Sequence, residues 1–251
     1  MVNLTTIRTT RMPWVEVARS ITPPVIWSWL FSRLVVRDIP DSNMYKPGFS
    51  PWLNPSFQDF FHQHVEPHTV VTMPRAWTLW QGLGQALNVP GAVMEAGVFQ
   101  GGTARLLREV LGKRADRTLY LFDSFEGMHS VTEHNDRHQV GDFADTSVES
   151  VRNVVGSDPF IDYRKGWVPD TFAGLEHETF CFAHIDLDLY QGVVDTLNFV
   201  YPRLSRGGII VLDDYGFASC PGARRAVDEF FADKPERPLA LQTCQALIHK
   251  L

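Results

Sequence analysis

The sequence predicts an α/β fold, a mainly parallel sheet with helices on both faces. Three observations carry this. From residue 76 onward, short apolar runs alternate with segments whose apolar residues recur at helical spacing. The first apolar run, "GAVMEAGV", leads through a glycine-rich turn, "FQGG", into a helical stretch. Acids stand where successive runs end, at Glu95, Asp123, Asp186 and Asp213. In sheets of this kind ligands sit beyond the carboxyl ends of the strands, where the strand order reverses.

Length and composition agree with one sizeable core and a small appendage: 251 residues, 44% of them hydrophobic. The net charge of −6 and the scattered basic residues speak against a nucleic-acid surface. Cys181, Cys220 and Cys244 lie far apart, with no CxxC pair. They suit a reducing compartment and give no zinc-ribbon signal. The first twenty residues lack the continuous apolar stretch of a secretory leader, so a cytoplasmic protein is expected. The run "PPVIWSWLFSRLVV" at 23–36 is short for a membrane span and is interrupted by Arg33. It reads as a helix on the core, on a partner, or as the wall of a substrate site, and no membrane partner is expected.

Taken in order, residues 1–75 read as an N-terminal arm with short helices, contributing to an interface and to an acceptor site; the main domain follows over 76–251. "SFQDFFHQHV" reads as a helix, but His62 and His64 fall on different sides of it, and Pro67 separates His64 from His68. "AWTLWQGLGQAL" is helical. "GAVMEAGV" is a strand, and "TARLLREVLG" a helix with a stripe of Leu106, Leu107, Val110 and Leu111 that Gly112 ends. "RTLYLFDSF" is a strand ending at Asp123. Residues 126–145, polar and with three histidines, read as a mobile loop over a site. "SVESVRNVVG" is a helix, "FIDYRKGW" a strand, "VPDTFAGL" a short helix and "TFCFAHIDLDL" a strand. A helix with Val193, Val194, Leu197 and Val200 follows, then the strand "GGIIVLDDY" and the helix "GARRAVDEFFAD". "LALQTC" and "QALIHKL" are two short closing strands.

Two features raise the question of chemistry. In "EAGVFQGG", Gly97, Gly101 and Gly102 follow GxxxGG rather than the GxGxxG of dinucleotide sites. A tight, closely packed turn explains them as well as a ligand does. Asp123 at the end of the next strand is placed to accept hydrogen bonds from ribose hydroxyls. Two apolar runs also end in carboxylates: Asp186 and Asp188 in "HIDLDLY", and Asp213 and Asp214 in "IIVLDDYG". Such charges need solvent or a cation. In extended chain Asp186 and Asp188 would face the same way. His184 lies earlier on the same alternation and reads as a packed histidine.

The pieces "EAGVFQGG", "LFDSFEGM", "KGWVPDTF", "HIDLDLYQGVVDTL", "YPRLSRGGIIVLDDYG" and "GARRAVDEF" together resemble a class I S-adenosylmethionine-dependent methyltransferase with a Rossmann-like fold. More narrowly they resemble the macrocin O-methyltransferase family of sugar methyltransferases, close to calicheamicin-type enzymes. The resemblance spans residues 90–250. It implies a seven-stranded sheet ordered 3-2-1-4-5-7-6 with strand 7 antiparallel, which makes strands 4 and 5 neighbours. It implies a magnesium ion held by Asp186, Asp213 and Asp214, since all-oxygen ligation suits a hard divalent cation, and Asp188 as the base. It implies S-adenosylmethionine against Glu95, Gly97, Gly101 and Gly102, with Asp123 and Ser124 at the ribose, Asp142 and Phe143 reaching the adenine, and Trp167 covering it. A glycosylated small molecule of antibiotic biosynthesis is the implied acceptor, and a homo-oligomer the implied assembly. Two other readings stay open. One is a catechol or phenol methyltransferase, although such enzymes usually carry Asp-Asn where this chain has Asp213-Asp214. The other is a noncatalytic scaffold on the same fold. The missing GxGxxG disfavours hydride transfer.

Overall fold

The structure is a computed structural model and describes residues 51–112, 117–128 and 138–251. The chain divides into two units, Met1–Ser50 and Pro51–Leu251. The expectations for residues 1–50, including the helix at 23–36, lie outside the described residues, as does 129–137 of the loop.

Helix α1 (Pro55–Phe60) starts at Asn54, whose side chain accepts from the Ser56 and Phe57 amides. It runs on through a π-helical turn, Phe61–Val65. Phe57, Phe61 and Val65 are buried in the same core as Leu79 and Leu83 of α2 (Met73–Ala86), a helix that itself crosses position 75. Strand β1 (Ala92–Ala96) leads to α3 (Gly102–Leu111), and β2 (Leu119–Asp123) comes next. Helix α4 (Val148–Val155) begins with Ser147 and Ser150 capping each other reciprocally. Then come β3 (Ile161–Lys165), β4 (Phe180–Ile185), α5 (Tyr190–Val200), β5 (Leu204–Leu212), α6 (Pro221–Phe230), and the short β6 (Leu239–Ala240) and β7 (Ala246–His249). The stretch "VPDTFAGL" supplies only a 3-10 turn, Asp170–Phe172.

The seven strands are ordered β3-β2-β1-β4-β5-β7-β6, parallel except for β7, which is antiparallel to β5 and β6. Strand alternation divides the core. Val93, Leu119, Leu121, Phe182 and Val211 pack with Leu83, Leu107 and Val151 on one face. Met94, Phe122, Ala183, Ile185 and Ile210 pack with Leu197, Ala226 and Val227 on the other. Both faces are covered, so the strands read as continuous apolar runs rather than as alternating ones. Among the described residues, no helix is long and apolar enough to cross a membrane.

This topology places the site. The order reverses at β1, whose neighbours are β2 and β4. Beyond β4, Asp186 N donates to Ala96 O, and Asp213 N donates to Ile185 O. The acids after β4 and β5 therefore start at adjacent points on the carboxyl edge.

Candidate active site

The turn after β1 is built around Asp123. Its Oδ2 accepts from the amides of Val98 at 2.7 Å and Phe99 at 2.9 Å, and its Oδ1 accepts from that of Phe125 at 2.6 Å. Ser124 Oγ adds a longer contact to Oδ1 at 3.5 Å, so the turn engages most of the carboxylate's roughly four acceptor sites. Gly97 has φ of +89°, and a Cβ there would overlap the Asp186 carbonyl. Gly101 and Gly102 have a packing reason. A Cβ on the first would press on Val151 and Val155, and one on the second on the carbonyls of Val65 and His68.

The polar side chains at the carboxyl ends of β1, β4 and β5 separate into two groups. Glu95, His184, Asp213 and Gln245 are fully buried. His184 Nδ1 meets Glu95 Oε1 at 2.8 Å, and its Nε2 meets Asp213 Oδ1 at 3.4 Å. Gln245 Nε2 donates to the same Oδ1 at 2.7 Å, and the other Asp213 oxygen forms an ion pair with Arg75. Burial pushes the Glu95 carboxyl above its ordinary value, although the His184 contact opposes this.

The second group is Asp186, Asp188 and Asp214, which bring carboxylate oxygens within 4.8 Å of one another. Burial raises Asp186, and Asp188 adds to the shift. Burial raises Asp214 well above its usual range, and the charges of Asp186 and Asp188 add to that. Arg75 acts on both but is ion-paired with Asp213. Asp186 and Asp214 are short of positive charge, and the three carboxylates are the donor set that a hard divalent cation fits. Asp188 is not in extended chain. Strand β4 stops at Ile185, and Asp188 takes a left-handed conformation with φ of +57°. Its amide donates to Asp214 Oδ2 at 3.1 Å. A turn, rather than strand alternation, brings it beside Asp186.

A cavity of about 470 Å³ opens at this edge, within the range of small-molecule sites. Gly97, Asp123, Ser124, Phe143 and Trp167 line it, and so do Asp186, Asp188 and Asp214. Glu95, Gly101, Gly102, Asp142 and Asp213 stand outside that lining. Asp142 instead accepts from the Gln139 amide at 3.0 Å and contacts His138 Nδ1 at 3.2 Å. Left-handed, non-glycine backbone gathers here: Phe99, Phe143 and Asp188 line the cavity, and Phe125 adjoins Ser124. Such strain persists where surrounding structure holds it, commonly at functional sites.

Three functional candidates escaped the sequence reading. Arg75 reaches the site from α2. His138 Nε2 stands 3.4 Å from Asp188 Oδ1, and the hydrogen bond to Asp188 raises its pKa to about 8 against the cost of burial. Cys220 Sγ lies 3.3 Å from the same oxygen. The three histidines of the loop were the available signal for His138; nothing local marks Cys220 or Arg75.

Chemically, the cavity joins three clustered carboxylates, Asp186, Asp188 and Asp214, to an apolar wall and to a fourth acid, Asp123, at the end of β2. Comparison with known proteins bears on what uses them. Residues 68–240 match the family described as macrocin O-methyltransferase (TylF). The chain is 33% identical over 180 residues to demethyldecarbamoylnovobiocin O-methyltransferase of Streptomyces niveus, 66% of this chain and 68% of that protein. It is 32% identical over 171 residues to the 8-demethyl-8-(2,3-dimethoxy-alpha-L-rhamnosyl)-tetracenomycin-C 4'-O-methyltransferase of Streptomyces olivaceus, 62% of this chain and 66% of that protein. The crystal structure of CalS11, calicheamicin methyltransferase, matches with a TM-score of 0.62 over 92% of this chain and 95% of that one. At 20% identity that is a likeness of fold.

Proposed function

The chain belongs to the macrocin O-methyltransferase (TylF) family, and on that premise we propose that it methylates a sugar hydroxyl of a glycosylated natural product, using S-adenosylmethionine and a divalent cation, magnesium. The observation that carries this reading is the convergence of Asp186, Asp188 and Asp214 on the cavity that Asp123 and Trp167 also line. The relatives support the acceptor class, since one of them is named for a rhamnosyl tetracenomycin.

S-adenosylmethionine would supply an electrophilic methyl on sulfur. Asp123 is the residue proposed to hold its ribose, Ser124 to assist, Trp167 and Phe143 to flank its base, and Gly97 to admit its amino-acid end. Glu95, Gly101, Gly102 and Asp142 then act behind the lining, through the turn and the loop. The cation would lower the pKa of an acceptor hydroxyl and fix its position. Asp186 and Asp214 are its proposed ligands, with Asp213 as a third if its ion pair with Arg75 opens.

The remaining steps belong to the side chains. An alcohol is a weak nucleophile until its proton leaves, and Asp188 is proposed to take that proton as transfer occurs. Its turn conformation, and the hydrogen bond from its amide to Asp214, hold the carboxylate in place. Phe99, Phe143, Leu187 and Phe217 line the cavity and exclude water. Gln191 and Asp195, joined by a 2.9 Å hydrogen bond, add polar lining suited to further sugar hydroxyls.

The test is a screen with isotopically labelled methyl donor, glycosylated acceptors beside free catechols, read by mass spectrometry. Label on a sugar oxygen, lost on chelation and restored by magnesium, is the expected result. Label only on phenolic oxygens would move the enzyme to the catechol class, and no transfer to any acceptor would favour a scaffold. We further propose a homo-oligomer, which light scattering of the full chain would disprove by returning the monomer mass.

A further inference from the structure

The contacts around His138 form a pattern that methyl transfer does not need. Three different ligand atoms point at one another: Cys220 Sγ, His138 Nε2 and Asp188 Oδ1. Sγ to Oδ1 is 3.3 Å, Nε2 to Oδ1 3.4 Å and Sγ to Nε2 3.5 Å. Zinc bonds are about 2.3 Å to sulfur and about 2.0–2.2 Å to nitrogen or oxygen, so at tetrahedral angles the ligand atoms stand roughly 3.3–3.6 Å apart. All three edges fall in that interval. The second observation lies on the far side of the ring. His138 Nδ1 is 3.2 Å from the Asp142 carboxylate, which the Gln139 amide holds in turn. A histidine that binds metal through one nitrogen almost always gives its other N–H to such a partner.

We propose that Cys220, His138 and Asp188 form a second cation site, for a soft divalent metal of the zinc class, with a fourth position open toward the cavity. Thiolate and imidazole select zinc, whereas the all-carboxylate cluster beside it selects a hard ion. The two sites are therefore chemically distinct although they are neighbours. On binding, the Cys220 S–H proton leaves to solvent as the metal–sulfur bond forms, since a coordinating thiol is deprotonated outright. The metal then ties the described end of the 126–145 loop to the start of α6. It also occupies the Asp188 oxygen assigned above to proton removal, so zinc inhibits transfer. That consequence rests on the proposed function; the binding itself does not.

The experiment uses the full chain, stripped of metal and then titrated with Co²⁺ under excess Mg²⁺. A thiolate-to-cobalt charge-transfer band and intense visible bands of tetrahedral cobalt are expected, bleached by Zn²⁺. Cys220→Ser removes the charge-transfer band, and His138→Gln weakens binding by about tenfold or more, at least what losing an outer partner of a metal ligand costs. In the wild-type chain Zn²⁺ slows alkylation of Cys220 and leaves the partly exposed Cys244 unprotected, a measurement that holds if a variant fails to fold. Absence of the band, its persistence in a folded Cys220→Ser, or unprotected Cys220 would overturn the site. A saturating band in a chain that methylates nothing would sustain the site and defeat only the transferase reading.

Discussion

Asp213 and Asp214 are adjacent in the chain and have opposite circumstances. Asp213 is enclosed with Arg75, His184 and Gln245, each supplying a donor or a charge. Asp214 lines the cavity beside Asp186 and Asp188, and its acidity is suppressed by burial and by their charge. Identical side chains one residue apart thus divide into a compensated group around Asp213 and a less compensated pair, Asp214 with Asp186, beside which Asp188 has a histidine contact of its own, His138. The compensated group holds the carboxyl edge of β4 and β5 together. The less compensated acids store repulsion that a cation and a substrate proton can relieve.

Asp213→Asn breaks the comparison most severely. It leaves the Arg75 guanidinium buried without its charge partner, and losing one member of a buried pair costs about 3–5 kcal/mol. Urea unfolding measures it, and a loss under about 1 kcal/mol would show that Arg75 finds water instead. Asp186→Asn has the opposite signature. Activity falls by about 10²–10³-fold, the scale of one preorganised electrostatic group, while stability holds or rises because repulsion is relieved. Cofactor affinity stays near that of the wild type, so the loss sits in kcat; parallel losses of stability and activity would merge the two groups.

Asp123→Ala sharpens the contrast at the neighbouring strand. It removes the acceptor for the amides of Val98, Phe99 and Phe125, and with it the proposed ribose contact. A charge-assisted hydrogen bond is worth about 1.5–3 kcal/mol, so titration with S-adenosylhomocysteine reads about tenfold weaker binding or more. Unchanged affinity would leave Asp123 as a turn anchor alone.

The smallest effect concerns a fourth carboxylate, Glu236. Burial of Glu236 would raise its pKa, but the Tyr201 hydroxyl, the Leu251 amide and Lys250 prevail and lower it to about 2. A depressed acid contributes stability above its unfolded value near 4.5, and that contribution is lost as pH falls toward about 2. Glu236→Gln flattens this limb of the acid unfolding curve. A curve as steep as that of the wild type would mean that other carboxylates dominate it.

The fold was legible because the strands are buried on both faces and the helices carry single apolar stripes, as Leu106, Leu107 and Leu111 do. The strand order came through resemblance, since no local signal puts β7 between β5 and β6. The site was legible as a set of acids and not as an arrangement. Sequence marks Asp213 and Asp214 alike; only tertiary partners distant in the chain, Arg75 and Gln245, decide which one is neutralised. The expectation that Asp186 and Asp188 share a strand face had its basis in alternation, and alternation ends with β4 at Ile185. The close packing that Gly101 and Gly102 serve was one of the two readings the sequence left open, and the neighbours that require it, Val151, Val155, Val65 and His68, lie far off in the chain.

Gly97 shows what such packing means for anyone interpreting a mutational scan. It sits where β1 passes the Asp186 backbone with room for a hydrogen and nothing more. Gly97→Ala would displace the peptide from which Asp186 is hung, and with it every distance in the acid cluster. The position would score as intolerant as any proton acceptor, although its side chain is a hydrogen and takes no part in proton transfer. Intolerance here measures clearance between two backbones, and a scan read for chemistry alone would credit this enzyme with one reactive residue too many.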